Sequence, residues 1–216
     1  MKNWKYILAL IISTLLAGTA CYLISHFFVY IQQRPGIEIF DPILHYLGPF
    51  NLNNPIVILT GLSVGLGMGS SFIAPCAYIR IMIAIFIITV LRMLVIYFVP
   101  LEPPSTIIPL RDSFLENTFY QNQVITKDLF FSGHTANVIL LGLVTPFKFL
   151  KKVLLTAGFI LGVMLVLQHV HYAIDVIAAP FFAYLAYKIT IFLFNKTHTW
   201  VNTNTSLQIN LYGGLK

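Results

Sequence analysis

Between Tyr6 and Ile31 the chain carries no charged side chain, and five more apolar stretches follow, at roughly Pro55–Pro75, Tyr78–Pro100, Thr135–Phe147, Val153–Gln168 and Tyr172–Phe194. A membrane crossing needs about 20 such residues. The runs are too long and too uniformly apolar for a water-facing domain, and only 9% of the 216 residues are charged, against about 25% in ordinary soluble domains. The expected fold is therefore all-α: one polytopic membrane domain over residues 1–216, built as a bundle of six transmembrane helices. The fourth and fifth runs are short, so their polar ends are expected at the depth of a site. Lys2 and Lys5 followed by an apolar run suggest a signal peptide, but that run outlasts an h-region and reads as an uncleaved first helix.

The net charge of +6 does not read as a nucleic-acid footprint. The densest basic group, Lys148, Lys151 and Lys152, sits between two apolar runs, where basic residues report orientation. With the N-terminus in the cytoplasm, Lys2, Lys5, Arg80, Lys148, Lys151, Lys152, Lys188, Lys196 and Lys216 fall inside. Arg34, Arg92, Arg111 and Lys127 do not, and all seven acids fall at or near the outer side. Both termini are thus expected in the cytoplasm, with two long outer loops at 32–54 and 101–133. The polar stretch 197–216 reads as a disordered tail, and the sequons at Asn195 and Asn204 as unmodified. Cys21 and Cys76 form no CxxC and read as small hydrophobes. Gly61, Gly65, Gly67 and Gly69, in an apolar span, suggest close helix–helix contact.

Two segments carry polar groups that a membrane helix would normally exclude: Phe131-Ser132-Gly133-His134-Thr135 and His169-Val170-His171-Tyr172-Ala173-Ile174-Asp175. The expected topology brings both to the outer membrane boundary. His171 and Asp175 are four residues apart and share a helix face, so the carboxylate can orient the imidazole as a nucleophile or base. Ser132 reads as a capping residue and Gly133 as a turn before a helix, whose free N–H groups and dipole suit a phosphate. His134 at that mouth can donate a proton to a leaving oxygen. Such a phosphoryl-transfer site requires no metal and no cofactor. A His-x-x-x-Asp pair alone can equally be a structural ion pair or a pair of zinc ligands. His26, His45 and His198 read as interfacial hydrogen-bonding groups.

Ser132-Gly133-His134-Thr135 followed by His171-Tyr172-Ala173-Ile174-Asp175-Val176 resembles the two catalytic motifs of the sphingomyelin synthase family, a branch of the phosphatidic acid phosphatase type 2 (lipid phosphate phosphatase) superfamily. Upstream, Lys127-Asp128 before Ser132 resembles that family's Gly-Asp-x-x-x-Ser-Gly-His-Thr run with Lys for Gly. Leu91-Arg92 through Val99-Pro100 resembles its Tyr-Arg…Leu-Pro segment, and Phe40-Asp41-Pro42 faintly resembles its Pro-Leu-Pro-Asp start. The resemblance covers roughly residues 38–194. It departs from the lipid phosphatases: Phe27 stands where Lys-x6-Arg-Pro needs Lys, Phe131 replaces a Pro, and Met164-Leu165 replace Ser-Arg. Arg92 is the best substitute for the missing phosphate-holding cations, with Lys127 and Arg111 behind it.

The resemblance implies that His171 attacks the phosphorus of a phospholipid, that Asp175 orients it, and that His134 protonates the departing diacylglycerol oxygen and then activates an acceptor. Ser132, Gly133, Arg92, Lys127 and Asp128 would surround the phosphate. The expected partners are a phospholipid donor and a lipid alcohol acceptor in the bilayer, and the expected function is head-group transfer. With water as acceptor the same site is a lipid phosphatase or phospholipase C. A phosphocholine head group would want an aromatic or acidic cradle, for which Tyr120, Phe131, Tyr172 and Asp128 are at hand. The reading from another class is a lipid carrier or transporter subunit that uses His and Asp for proton coupling.

Overall fold

In a computed structural model, residues 4–118 and 123–202 are described. They form eight helices: α1 (Trp4–Gln33), α2 (Pro42–Tyr46), α3 (Asn53–Ile73), α4 (Pro75–Phe98), α5 (Ser113–Thr118), α6 (Gly133–Val144), α7 (Lys148–Leu167) and α8 (Ala173–Asn202). Among the described residues there is no strand, only an isolated bridge between Ile37 and Leu101. Tyr120, Lys2, Lys216 and the Asn204 sequon lie outside the described residues.

Each apolar run of the sequence lies in its own helix, but the lengths divide differently from expectation. α1, α3, α4, α7 and α8 are long and apolar enough to cross a membrane, which points to a membrane-embedded protein. Phe72, Phe98, Phe149 and Phe181 stand outward from this bundle, as lipid-facing side chains do. α7 is not short: it begins at Lys148, so the three lysines occupy its first turns rather than a connecting loop. Their long stems allow the ammonium groups to reach back toward water. α8 likewise runs on to Asn202, into the stretch read as a polar tail.

α6 departs from the rest. Its 12 residues span about 18 Å, too little for a membrane crossing, and Gly133, Thr135, Ala136, Val138, Ile139, Leu140, Leu141, Gly142 and Val144 are all buried. It is a core helix, wrapped by α3, α4, α7 and α8, while α1 packs on α4. The close contacts around it come partly from glycines that the sequence pattern does not single out. A Cβ on Gly158 of α7 would lie 2.6 Å from Ile139 Cγ1, and one on Gly162 equally close to Val176 Cγ1. Of the four glycines of α3 named above, Gly67 alone meets a partner, Leu141; Gly61, Gly65 and Gly69 face open space.

The long helices alternate in direction, which brings residues 34–52, 99–118, 123–132 and 168–172 to one end of the bundle. Polar side chains knit these segments. Gln168, fully buried, accepts from Leu52 N–H (2.9 Å) and donates to the Ile108 carbonyl (3.1 Å). Asp41 caps two helices at once: Oδ1 accepts from Ile43 N–H (2.8 Å) and Leu44 N–H (3.3 Å) of α2, and Oδ2 from Ala173 N–H (2.7 Å) at the start of α8. At Gly36 the backbone lies against Leu101, where a Cβ would come within 2.7 Å of its carbonyl carbon. Beside that contact Lys127 Nζ bridges Glu102 Oε1 and the Arg34 carbonyl, both at 2.7 Å.

Candidate active site

α7 ends because the chain enters a left-handed residue. His169 has φ 58°; its N–H donates to the Val166 carbonyl (2.9 Å), and the Val170 N–H to the Leu165 carbonyl (3.0 Å). This is a Schellman ending, in which glycine is the usual occupant. The histidine is held there by Thr106, whose hydroxyl lies 2.6 Å from Nδ1. The turn delivers His171 and Tyr172 to the start of α8. There Asp175, three residues after the helix-capping position of Tyr172, reaches back to accept the Tyr172 N–H through Oδ2 (3.0 Å), the carboxylate half of a capping box. His171 Nδ1 lies 3.3 Å from the same Oδ2, with His171 2% exposed and Asp175 fully buried. The other oxygen, Oδ1, is buried with no hydrogen-bond partner among the described residues. A capping carboxylate thus doubles as the imidazole's orienter.

The two motifs meet through the backbone: Ser132 N–H donates to the Asp175 carbonyl (3.1 Å). Ser132 occupies the capping position of α6, but its hydroxyl makes no cap; it donates to Thr135 Oγ1 (3.2 Å). Gly133 is no left-handed turn either. Its missing side chain makes room for Arg92, whose guanidinium occupies the space a Cβ would need. Arg92 is 6% exposed, ion-paired with Asp128 and seated over the Phe28 ring at 5.7 Å. A guanidinium and the N-terminus of α6 therefore converge, two sources of positive potential at one point.

His134 is only half-buried and its ring has no hydrogen-bond partner among the described residues. It lines two cavities: a small one of about 40 Å³ shared with His171, Asp112 and Asp128, and one of about 420 Å³ shared with Arg92, Gly133 and Asn137. His134, His171, Asp175, Ser132, Gly133, Arg92 and Asp128 are thus gathered at one place. Lys127 is not, because Glu102 and the Arg34 carbonyl hold it in the loop junction; Arg111 is likewise paired, with Glu116 at 2.7 Å. Of the aromatic cradle, Phe131 is fully buried and stacked on Phe182 (4.2 Å between centroids). Tyr172 is 1% exposed, its hydroxyl donated to the Glu102 carbonyl (2.9 Å). Asp41, Gln168 and His169 brace the site in roles the sequence does not assign them: Asp41 and His169 appear there only as members of longer motifs, and Asp41-Pro42, a cap followed by Pro, was the available signal for the first.

Residues 127–200 match a protein-family model described as the PAP2 superfamily C-terminal domain. The matched stretch, about a third of the chain, contains both histidine motifs, supports the PAP2 superfamily, and suggests phosphatase or phosphotransferase activity on lipids. No curated protein and no solved structure matches the chain.

Proposed function

We propose that this protein is a membrane-embedded lipid phosphotransferase of the sphingomyelin synthase type, moving a phospholipid head group through a phosphohistidine to a lipid alcohol. The observation that carries the reading is the Ser132 N–H to Asp175 carbonyl bond, which pins the two motifs together so that His134 and His171 share one small cavity. With Nδ1–H given to Asp175, His171 Nε2 keeps its lone pair. That lone pair forms the N–P bond as the P–O bond to diacylglycerol breaks, and the departing oxygen takes a proton from His134. In the return step His134 accepts the acceptor's hydroxyl proton, the new P–O bond forms, and the N–P bond breaks, restoring His171.

Transfer is favoured over monoester hydrolysis by the count of cations. Among the described residues, no lysine or arginine lines the small cavity at His134, Arg92 alone lines the larger one, and it is already paired with Asp128. Such a site suits a diester with one negative charge better than a monoester with nearly two. Purified protein given head-group-labelled phosphatidylcholine or phosphatidylethanolamine, with ceramide or diacylglycerol, should move label into a new lipid. Label released only as the water-soluble phospho-alcohol identifies a phospholipase C. Phosphate release from phosphatidic acid with no action on diesters overturns the reading in favour of a lipid phosphatase.

The same reading puts both termini in the cytoplasm and the site on the extracytoplasmic side, from the sorting of basic residues. An impermeant thiol reagent should label Asn117→Cys in intact cells and leave Lys151→Cys unlabelled. The reverse pattern moves the chemistry to the cytoplasmic leaflet.

A further inference from the structure

The larger cavity at His134 is mostly apolar and runs away from the site between α1, α3, α4 and α6. On α4 it extends from Arg92 to Ile81, eleven residues or about 16 Å. That is close to half of a hydrocarbon core of about 30 Å. Its polar mouth at the phosphate-binding end and its apolar floor match a lipid entering head first with one tail following.

Below the mouth, four uncharged polar side chains interrupt the apolar wall: Ser25, Thr60, Thr89 and Asn137. Hydroxyls in membrane helices ordinarily satisfy themselves on the carbonyl one turn back. Ser13, Thr14, Ser25, Ser70, Ser71 and Thr190 do so here, at 2.6–3.0 Å. Thr60 does not: its Oγ1 is buried with no hydrogen-bond partner among the described residues. Thr89 and Asn137 also have no side-chain hydrogen bond among the described residues. They occupy two adjacent levels. Thr89 and Asn137 are each three residues, about 4.5 Å, below Arg92 and His134. Thr60 stands about one turn nearer the site, level with His134, since both are seven residues toward the site from the Gly67–Leu141 contact. Unsatisfied polar groups within a bundle are costly and default to ligands.

We infer that Thr60, Thr89 and Asn137 form a hydrogen-bonding collar for the acyl-linkage carbonyl of the donor lipid, with that acyl chain filling the cavity below. The inference rests on the phosphotransfer reading above. There His134 protonates the diacylglycerol oxygen, so the glyceride half of the donor lies on the side of His134 where this cavity opens. In a phospholipid the ester carbonyls sit a few bonds from that oxygen, which matches one helical turn below the histidine. Two hydroxyls and a carboxamide offer donors to a carbonyl that would otherwise enter the cavity unpaired. An ether-linked lipid has no carbonyl to offer. These residues are positioning and specificity groups, not catalytic ones.

Turnover of a diacyl phospholipid and its dialkyl ether analogue with the same head group tests the collar. Wild-type protein should prefer the ester by about tenfold in kcat/KM, the worth of one or two neutral hydrogen bonds. Asn137→Leu should abolish that preference, and Thr60→Val and Thr89→Val, which keep side-chain shape, should each reduce it. Cleavage of a water-soluble nitrophenyl phosphodiester without acyl chains should be unchanged in all three. A second arm uses the inactive His171→Ala protein in detergent. Dioleoylphosphatidylethanolamine should raise its Tm more than the dialkyl analogue, and Asn137→Leu should erase the difference. If no lipid is turned over, the phosphotransfer reading fails while the binding arm still judges the collar. Equal treatment of ester and ether by wild-type protein, equal Tm shifts, or no shift with either lipid overturns it.

Discussion

The two histidine motifs are built in opposite ways. Around His171 everything is over-determined: a Schellman turn ends α7, a carboxylate begins α8, and the same Asp175 Oδ2 serves both the Tyr172 N–H and the imidazole. Around His134 almost nothing is fixed except the backbone. Ser132 caps no N–H, Gly133 is vacant space filled by Arg92, and the imidazole has no hydrogen-bond partner among the described residues between its two cavities. The contrast matches two different tasks. A nucleophile must hold one tautomer and one direction, whereas a group that gives a proton to one oxygen and takes it from another needs contact with both substrates. The rigid motif also costs the protein an unusual backbone: His169 in the left-handed region, where a non-glycine residue is disfavoured by about 1–2 kcal/mol.

The largest expected effects fall on the rigid side. His171→Ala should abolish the phosphoenzyme and all turnover. Asp175→Asn should lower kcat by about 10⁴, as loss of a triad orienter does; phosphoenzyme trapping with labelled phospholipid checks both. Because Asp175 also begins α8, its variant should be compared by circular dichroism, and a folded but slow protein is the expected outcome. Near-normal turnover by either variant would erase the contrast between the motifs.

On the open side the effect should depend on the leaving group. His134→Ala is expected to lose about 10²–10⁴ in lipid turnover, the usual contribution of a general acid–base group. It should still form a phosphoenzyme from a nitrophenyl ester, whose departing oxygen needs no proton. Equal losses with both substrates would show that His134 positions rather than protonates.

Gly133→Ala probes the space between the two. Its Cβ must displace the Arg92 guanidinium, and misplacing one charged group by about 1 Å can cost about 10²-fold in rate. The expected result is a fall in kcat with little change in melting temperature. Unchanged kinetics would mean that Arg92 has no part in the reaction.

The smallest effect lies farthest from the chemistry, at the loop junction. Hydrogen bonding to Lys127, then to the Gly36 N–H, holds the Glu102 carboxyl below its ordinary 4.5. A carboxylate with a depressed folded-state pKa contributes stability that is present above the unfolded value and lost as pH falls through the folded one. Glu102→Gln should therefore lower Tm slightly at neutral pH, and the gap from wild type should close on acidification below pH 4.5. A gap that persists at acid pH would show that the junction does not depend on this charge pair.

Much of this organisation can be read from the chain before any coordinates. The scarcity of charge and the spacing of apolar runs locate all six principal helices, because a lipid-facing helix has to be apolar along its whole length. The four-residue spacing of His171 and Asp175 announces their pairing, although His171 lies before the cap of α8 and the contact is made across the start of the helix rather than along its face. The sequence does not reveal which run is buried. α6 and the outward-facing helices are equally apolar, and only packing shows that α6 is encased by protein while the others face lipid. Nor does composition distinguish Arg92, Arg111 and Lys127. Each is a lone cation near the same end, yet Arg111 pairs with Glu116 five residues on, whereas Arg92 and Lys127 find Asp128 and Glu102 in distant segments. The same holds for Gly133, which reads as a turn and proves to be clearance for a guanidinium, and for Asp41, which caps a helix 132 residues away. Local periodicity and hydrophobicity are properties of the chain itself, whereas burial, ion-pair choice and clearance are set only when the helices close against one another.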